Sequence, residues 1–484
     1  MSPPSRLPVV LTRVMWGLFA LATLLCVTRA GSTWSLGIAE EPWIRVDGLA
    51  QVMGVVVTFV SGIVHSFSQR YMAGAKRIGA FYGQLFGLTL IVLALTIANH
   101  LVLFGALWTA MGWVLAGLIG HIRGWPEAQA SARYARRTFL GGSAALAVAI
   151  AMLVMETGQW TLTGAMEQVD SMETPFVLIA AGLVVIAAAV QSALVPVHQW
   201  LLSSMTAPTP VSAFMHAGLV NAGGILLARF APVVFDTQLM MLVVVALGGL
   251  TALAGQAWAL VQTNVKRQLG CSTTAQMGFM VLQCGLGFIA AAIAHLILHG
   301  FYKAYLFLGS GAVVESTTPP PRRTQPAEAV GVGATVLSVA TGLVGGALFA
   351  WLTGKSILAL DSGTFLTFFV VLAVLHAAHT LLQRAALPAS TRAWALPAAV
   401  LPALAIYAAV YNGVAWMMAD MPMAVAPGDL TIVHWILAAT FLFVYIAIER
   451  GWHRSSTRLY VALLNSSQPL SSTLLTRRDR YHVH

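Results

Sequence analysis

Runs of about 20 apolar residues recur along the whole of this 484-residue chain, and nothing else in the sequence limits its fold as severely. That length makes a helix that crosses the hydrocarbon of a bilayer. Roughly fourteen segments qualify, near 9–28, 47–67, 78–98, 100–120, 138–157, 174–196, 208–231, 238–261, 268–288, 290–314, 331–353, 364–386, 394–416 and 431–449. A lone strand leaves its backbone unpaired in lipid, so the spanning segments must be helices. A barrel would show shorter, alternating segments. The expectation is an all-α polytopic membrane protein. Only 9% of the residues are charged and 58% are hydrophobic, against about 25% charged in an ordinary soluble domain. The lipid bilayer is therefore the main solvent of the chain. The first segment is expected to be retained, since no convincing small-residue cleavage site precedes a soluble domain.

The net charge is +10, from 26 basic and 16 acidic residues. On a soluble protein this would suggest nucleic acid. Here it reads as topology, because Lys and Arg gather in cytoplasmic loops, and no nucleic-acid partner is expected. One side of an even number of spans collects Arg6, Arg13, Arg70, Lys76, Arg77, Arg123, Arg133, Arg136 and Arg137. It also takes Lys266, Arg267, Arg322, Arg323, Arg384, Arg392 and the arginines after the last helix. The other side receives Arg29, Arg45, Arg229 and Lys355, while Glu167, Asp170, Glu173, Asp420 and Asp429 lie in loops without Lys or Arg. This places both termini in the cytoplasm. Cys26, Cys271 and Cys284 form no CxxC pair. They exclude a disulfide framework and read as structural thiols, so no metal site or other cofactor is expected on this chain.

The longest polar stretch inside the chain, Thr317 to Glu328, contains Pro319, Pro320 and Pro321 and reads as a stiff surface loop. The tail from Gly451 carries an amphipathic stretch around Leu459 to Leu464, then Arg477, Arg478 and Arg480. It suits either an interfacial helix near anionic lipid or a docking surface for a soluble partner.

Ionisable groups inside spans are costly and mark ion or proton pathways. The densest set is His295-Leu-Ile-Leu-His299-Gly-Phe-Tyr-Lys303. Spacing of four, twice, places all three groups on one helical face. Imidazoles titrate near neutral pH, and a lysine held away from water exchanges protons more readily. Such a stripe can relay protons; the bland alternative is hydrogen bonding to neighbouring helices. His216 follows Pro208-Thr209-Pro210 by about two turns and is either a packed core histidine or part of the same path. Pro196 should interrupt a helix, with Gln191 and His198 flanking the break. Gly354 and Lys355 lie some 160 residues further on and suggest a corresponding break, although Lys355 could also snorkel from a helix end. His376 and His379 share a face in the twelfth segment. His65, His100 and His434 sit nearer segment ends and read as facing headgroups or loops.

Several longer motifs occur in order. They are Arg45-Val-Asp-Gly-Leu, Trp200-Leu, Ala207-Pro-Thr-Pro-Val-Ser-Ala-Phe-Met-His216-Ala, Leu260-Val-Gln-Thr-Asn-Val-Lys266-Arg267-Gln-Leu-Gly-Cys-Ser-Thr and His295-Leu-Ile-Leu-His299-Gly-Phe-Tyr-Lys303-Ala. Through them the stretch from Ile44 to about Arg384 resembles the proton-pumping, antiporter-like subunits of respiratory complex I and of multisubunit cation/proton antiporters. The resemblance implies about fourteen transmembrane helices with two inverted five-helix repeats, each containing a broken helix. It divides the chain into N-terminal helices (1–77), a first repeat (78–231), a second repeat (232–390), C-terminal helices (391–450) and a basic cytoplasmic tail (451–484). It also implies that His216, Lys266, His295, His299, Lys303 and Lys355 line the proton path; His198 beside the break, and His376 and His379 on their shared face, are further candidates by position. Two positions depart from the family pattern. A glutamate that normally follows tryptophan is replaced in Trp108-Thr109, and a lysine on the first broken helix is replaced by Gln191. Thr109 and Gln191 form hydrogen bonds but cannot change charge.

A short chain with an altered first half-channel and a basic tail is similar to the membrane subunits of DAB-type inorganic-carbon accumulation complexes. That branch implies a multi-pass subunit of a bacterial inner (plasma) membrane. Its expected partner is a large DabA-type subunit on the cytoplasmic side, resembling a carbonic anhydrase and carrying the zinc. The chain would conduct protons or another monovalent cation, and catalysis would belong to the partner. The alternative is a proton-pumping or Na+/H+ antiporter subunit of a quinone-reductase-like or antiporter complex.

Overall fold

The computed structural model describes residues 6–38, 41–316, 332–357, 359–384, 389–421 and 428–473. The proline-bearing loop at Thr317 to Glu328 and the basic end at Arg477, Arg478 and Arg480 lie outside them. In chain order the described elements begin with α1 (Leu7–Thr28), β1 (Trp34–Ile38), β2 (Glu41–Val46), α2 (Gly48–Tyr71), α3 (Ile78–Ile97), α4 (Leu101–Ile119) and α5 (Pro126–Thr157). Next come α6 (Leu162–Glu167), α7 (Thr174–Gln191), α8 (Gln199–Ser203), α9 (Thr209–Ala217), α10 (Ala222–Arg229), α11 (Ala231–Val234) and α12 (Gln238–Val261). They continue with α13 (Val265–Gly285), α14 (Ile289–Leu308), α15 (Ser310–Ser316), α16 (Val332–Leu352), α17 (Ser362–Arg384), α18 (Ala389–Met417) and α19 (Ile432–Glu449), then α20 (Trp452–Ser455) and α21 (Thr457–Ser466).

Among the described residues thirteen helices are long and apolar enough to cross a membrane, α9 and α10 together forming one of them. The fourteenth expected segment coincides with α13. That helix has the length but carries Lys266, Arg267, Gln268, Ser272, Thr273, Thr274, Gln276 and Gln283, which leaves it far less apolar than its neighbours. One departure from an all-helical chain is the antiparallel β1–β2 hairpin, in which Trp34 pairs with Val46 and Ser35 with Arg45. It precedes the Asp47 cap of α2, whose side chain accepts from the Ala50 amide at 3.0 Å.

α12 and α13 approach at their backbones. A methyl built on Gly278 would lie 2.5 Å from the Ala252 amide nitrogen, and one on Gly285 would lie 2.7 Å from that of Val245. Lipid offers no hydrophobic drive between helices, so small residues that permit this contact hold such pairs together.

One break falls where expected and the other does not. Helix α7 ends at Gln191 and α8 starts at Gln199, so Pro196 lies in the interruption, with Gln191 and His198 at its two edges. Gly354 does not interrupt a span: it adopts φ +67° just after α16 ends. A further interruption, inside a span, falls at Gly218, between α9 and α10, where a short 3-10 turn over Leu219–Asn221 intervenes. A broken span is tolerated in a membrane only where the freed backbone groups find partners inside the protein. Here Asn221 donates from Nδ2 to the Ala217 carbonyl at 2.8 Å, Gln191 from Nε2 to Leu219 at 2.9 Å, and Ser192 from Oγ to Val220 at 2.7 Å. Gly300 of α14 lets the break come close, since a methyl there would sit 2.5 Å from the Ala217 oxygen. The break therefore sits between the end of α7 and the middle of α14. The expected pair of inverted repeats is not established by these elements.

Candidate functional site

α14 carries the ionisable stripe, and its apolar flanks explain its position. Ile293, Ala294, Leu296 and Ala304 are all nearly or fully buried; His299 and Lys303 are buried with them, and His295 is half-buried. His295 and His299 stack with ring centroids 5.8 Å apart, and Phe279 of α13 meets His295 edge-on at 5.5 Å. One turn further, Lys303 is 2% exposed. Its ammonium donates to the Leu269 carbonyl of α13 at 3.1 Å and to the Ser272 hydroxyl. A buried ammonium must be hydrogen-bonded, and the polar face of α13 provides the acceptors.

His216 joins this group from α9. It is fully buried and stacks on Phe307 of α14 with centroids 4.3 Å apart. Both ring nitrogens of His216 and of His299, and Nε2 of His295, lack a hydrogen-bond partner within the protein. Buried polar atoms are normally paired, so this concentration of free imidazole nitrogens on two touching helices marks the site. Each can pick up and release a proton. Lys266 begins α13 and donates to the Ala207 carbonyl, immediately before α9, at 3.3 Å. Thus His216, Lys266, His295, His299 and Lys303 are brought together around α9, α13 and α14.

The remaining candidates lie elsewhere. Lys355 occupies the connection between α16 and α17, outside either span. Its ammonium donates to the Tyr411 hydroxyl at 3.0 Å and lies 4.8 Å from the centroid of the Phe288 ring. Burial pushes its pKa down to about 8, with the Asp361 carboxylate opposing. His376 and His379 both contact Glu449 of α19, at 2.9 and 2.8 Å. His198 stacks on Trp258 with centroids 4.5 Å apart. Thr109 donates within its own helix to the Gly105 carbonyl at 2.9 Å.

Near Trp108 the interior is apolar. A cavity of about 30 Å³ there is lined by Met53, Val57, Phe104, Trp108 and Leu219, with Thr96 as the one hydroxyl-bearing side chain in its wall. Apolar cavities of this kind stay dry.

Two features escaped sequence reasoning. Arg229 is not an outer loop residue: it is 7% exposed at the end of α10 and forms an ion pair with Asp47, which is 2% exposed. The same guanidinium donates to the Thr96 carbonyl at 2.6 Å, joining α2, α3 and α10. His65 does not face headgroups or a loop. It is fully buried in α2, with Nδ1 2.8 Å from the Ser61 carbonyl oxygen. The other two keep to helix starts, His100 at the N-cap of α4 and His434 within the capping box of α19.

Comparisons with known proteins agree with this architecture. A family model described as "NADH:quinone oxidoreductase/Mrp antiporter, TM" matches residues 98–329, and one described as "NADH-Ubiquinone oxidoreductase (complex I), chain 5 N-terminus" matches 41–82. The chain is 38% identical over 298 residues to the probable inorganic carbon transporter subunit DabB1 of Halothiobacillus neapolitanus, covering 59% of this chain and 52% of that one. It is 37% identical over 321 residues to the probable inorganic carbon transporter subunit DabB of Bacillus subtilis, covering 64% and 61%. NADH-quinone oxidoreductase subunit L of Mycobacterium tuberculosis is 34% identical over 286 residues, covering 58% and 45%. The matches thus span between 45% and 61% of these relatives' own lengths. Among solved structures, the Mrp complex from Dietzia sp. DQ12-45-1b superposes with a TM-score of 0.61 at 23% identity, covering 95% of this chain and 58% of that one. The archaeal membrane-bound sulfane sulfur reductase superposes with a TM-score of 0.63 at 17% identity, covering 98% and 94%. These last two likenesses are of fold alone.

Proposed function

The chain belongs to the antiporter-like membrane subunits of the complex I and Mrp type, and from that premise we propose that it is the proton- or cation-conducting subunit of an inorganic-carbon uptake complex. The observation that carries the conducting role is the cluster of buried His216, His299 and Lys303 with half-buried His295, and its unpartnered imidazole nitrogens. Protons pass along this cluster between Lys266 at one end and Lys355 at the other. Relatives named as inorganic carbon transporter subunits support the choice of cargo. In this reading the proton-motive force biases a DabA-type, zinc-bearing, carbonic-anhydrase-like partner on the cytoplasmic side toward hydrating carbon dioxide to bicarbonate. Both termini then face the cytoplasm of a bacterial inner membrane, by the positive-inside distribution of Lys and Arg.

Lys303→Ala tests this reading. The variant should assemble with its partner at wild-type levels yet lose energised carbon uptake by cells; undiminished uptake sinks the proposal. Affinity capture tests the partner, since recovery of quinone-reductase subunits without a carbonic-anhydrase-like protein contradicts it.

The second reading is a proton-pumping or Na+/H+ antiporter subunit, in line with relatives named as NADH-quinone oxidoreductase subunits. The neutral Thr109 and Gln191, together with the apolar cavity beside Trp108, speak against it. Sodium- or quinone-dependent proton movement in vesicles, strengthened by combining Thr109→Glu with Gln191→Lys, would favour it.

A further inference from the structure

A cavity of about 310 Å³ lies where the N-terminal ends of α5 and α13 meet, and the segment following α21 forms part of its wall through Pro469 and Thr473. The first turn of α13 brings Lys266 and Arg267 to the lining, and the first turn of α5 brings Glu127. Two cations therefore face one carboxylate. Lys266 donates to the Ala207 carbonyl at 3.3 Å and Arg267 to the Gln468 side-chain oxygen at 3.0 Å. Each of these cations has further N–H donors.

Two hydroxyls in the same wall are unsatisfied. Ser131 is 1% exposed, and its Oγ has no hydrogen-bond partner in the protein; Thr206 Oγ1 is buried and equally unpartnered. Buried hydroxyls without partners are uncommon, and each of these retains an O–H to donate. The ends of two long helices add the positive partial charge of their amide groups.

We propose that this cavity binds a small oxyanion, with the Ser131 and Thr206 hydroxyls and the Lys266 ammonium as donors and Arg267 as the second cation. All four groups donate, and an oxyanion has several acceptor oxygens, so one ligand satisfies them together. The volume exceeds that of a single water, whose share of liquid is about 30 Å³, and admits either a free oxyanion or a lipid phosphate group. Naming bicarbonate within the class rests on the inorganic-carbon reading; the site itself does not. An anion held here stands beside Lys266, the residue that ties α13 to the start of α9, and alters the field at that end of the buried cluster.

The test uses the full chain with its co-purifying subunits, delipidated in detergent, at constant ionic strength. Chloride is replaced stepwise by bicarbonate or by inorganic phosphate, and the thermal unfolding midpoint is followed, because a ligand of the folded state raises it. The wild-type midpoint should rise and saturate. Ser131→Ala combined with Thr206→Val should shift half-saturation upward by about tenfold or more, and Arg267→Gln should do the same. If the double variant does not fold, Arg267→Gln carries the comparison. Mass spectrometry before delipidation separates the sources. A phospholipid retained by the wild type, displaced by phosphate and missing from the variants assigns the same site to a headgroup. An identical response in wild type and variants, or none in the wild type under either lipid condition, overturns the proposal. Since the readout is binding, it stands or falls separately from the uptake result for Lys303→Ala.

Discussion

The side chain of Gln191 closes the hydrogen-bonding account of a broken membrane span by donating to the Leu219 carbonyl at 2.9 Å. Gln191 ends α7 and Leu219 lies in the 3-10 turn between α9 and α10, and the carbonyl is one that an unbroken helix would have satisfied itself. Gln191 has no titrating group and supplies an amide donor at the break.

Gln191→Leu should therefore destabilise the protein by about 1–3 kcal/mol, the cost of leaving a buried carbonyl unpaired. Gln191→Lys, which retains a donor, should lose less. Thermal unfolding midpoints of the two variants in detergent give the comparison, and equal midpoints would contradict this role.

Breaking the Asp47–Arg229 pair should be more severe. Removing one partner of a buried ion pair typically costs about 3–5 kcal/mol, because the other charge remains buried alone. Arg229→Met should sharply lower the yield of folded protein. Combining it with Asp47→Asn, which keeps an acceptor for the α2 cap, should recover much of the loss. The measurement is the fraction surviving detergent extraction as a monodisperse species.

The close approach of α12 and α13 predicts unequal tolerance of alanine. Gly278→Ala places a methyl 2.5 Å from backbone of the facing helix and should cost about 1–3 kcal/mol, the usual range for overpacking. Gly182→Ala on α7 meets nothing within 4 Å and should be near neutral. Parallel thermal melts decide it.

Lys355 gives a pH signature. Its folded-state pKa lies near 8 against an ordinary 10.5, so between those values the unfolded chain binds more protons than the folded one. Stability then rises with pH across that window. Below it both states are charged and the penalty of burying the ammonium is present in full. The difference in melting temperature between wild type and Lys355→Met should shift in favour of the wild type as pH rises from about 8 to about 10.5. A difference independent of pH would refute the assignment.

The helices were legible because the criterion is local: about 20 apolar residues suffice to identify a span. The stripe on α14 was legible for the same reason, since spacing of four fixes a face without reference to any neighbour. Asp47 and Arg229 could not be paired in this way, being 182 residues apart, and an arginine at the end of an apolar run reads as a loop residue. The break around Pro196 was legible because proline is strong local punctuation, whereas Gly218 carries no such signal. What permits the break at Gly218 is the set of side chains at the end of α7 and in the turn itself that donate to its carbonyls. His376 and His379 shared a face as expected, but that face meets Glu449, which no periodicity within their own helix reveals.

The ion pair at Arg229 fixes one end of the interrupted span to α2 and α3, while His216 lies beyond the turn at Gly218. Mechanically this is a cantilever, clamped at Arg229 and articulated four residues short of the Ala222 start of α10. Three side-chain hydrogen bonds, from Gln191, Ser192 and Asn221, pin that articulation. The short α9 is thereby held in place, with His216 stacked on Phe307 of α14.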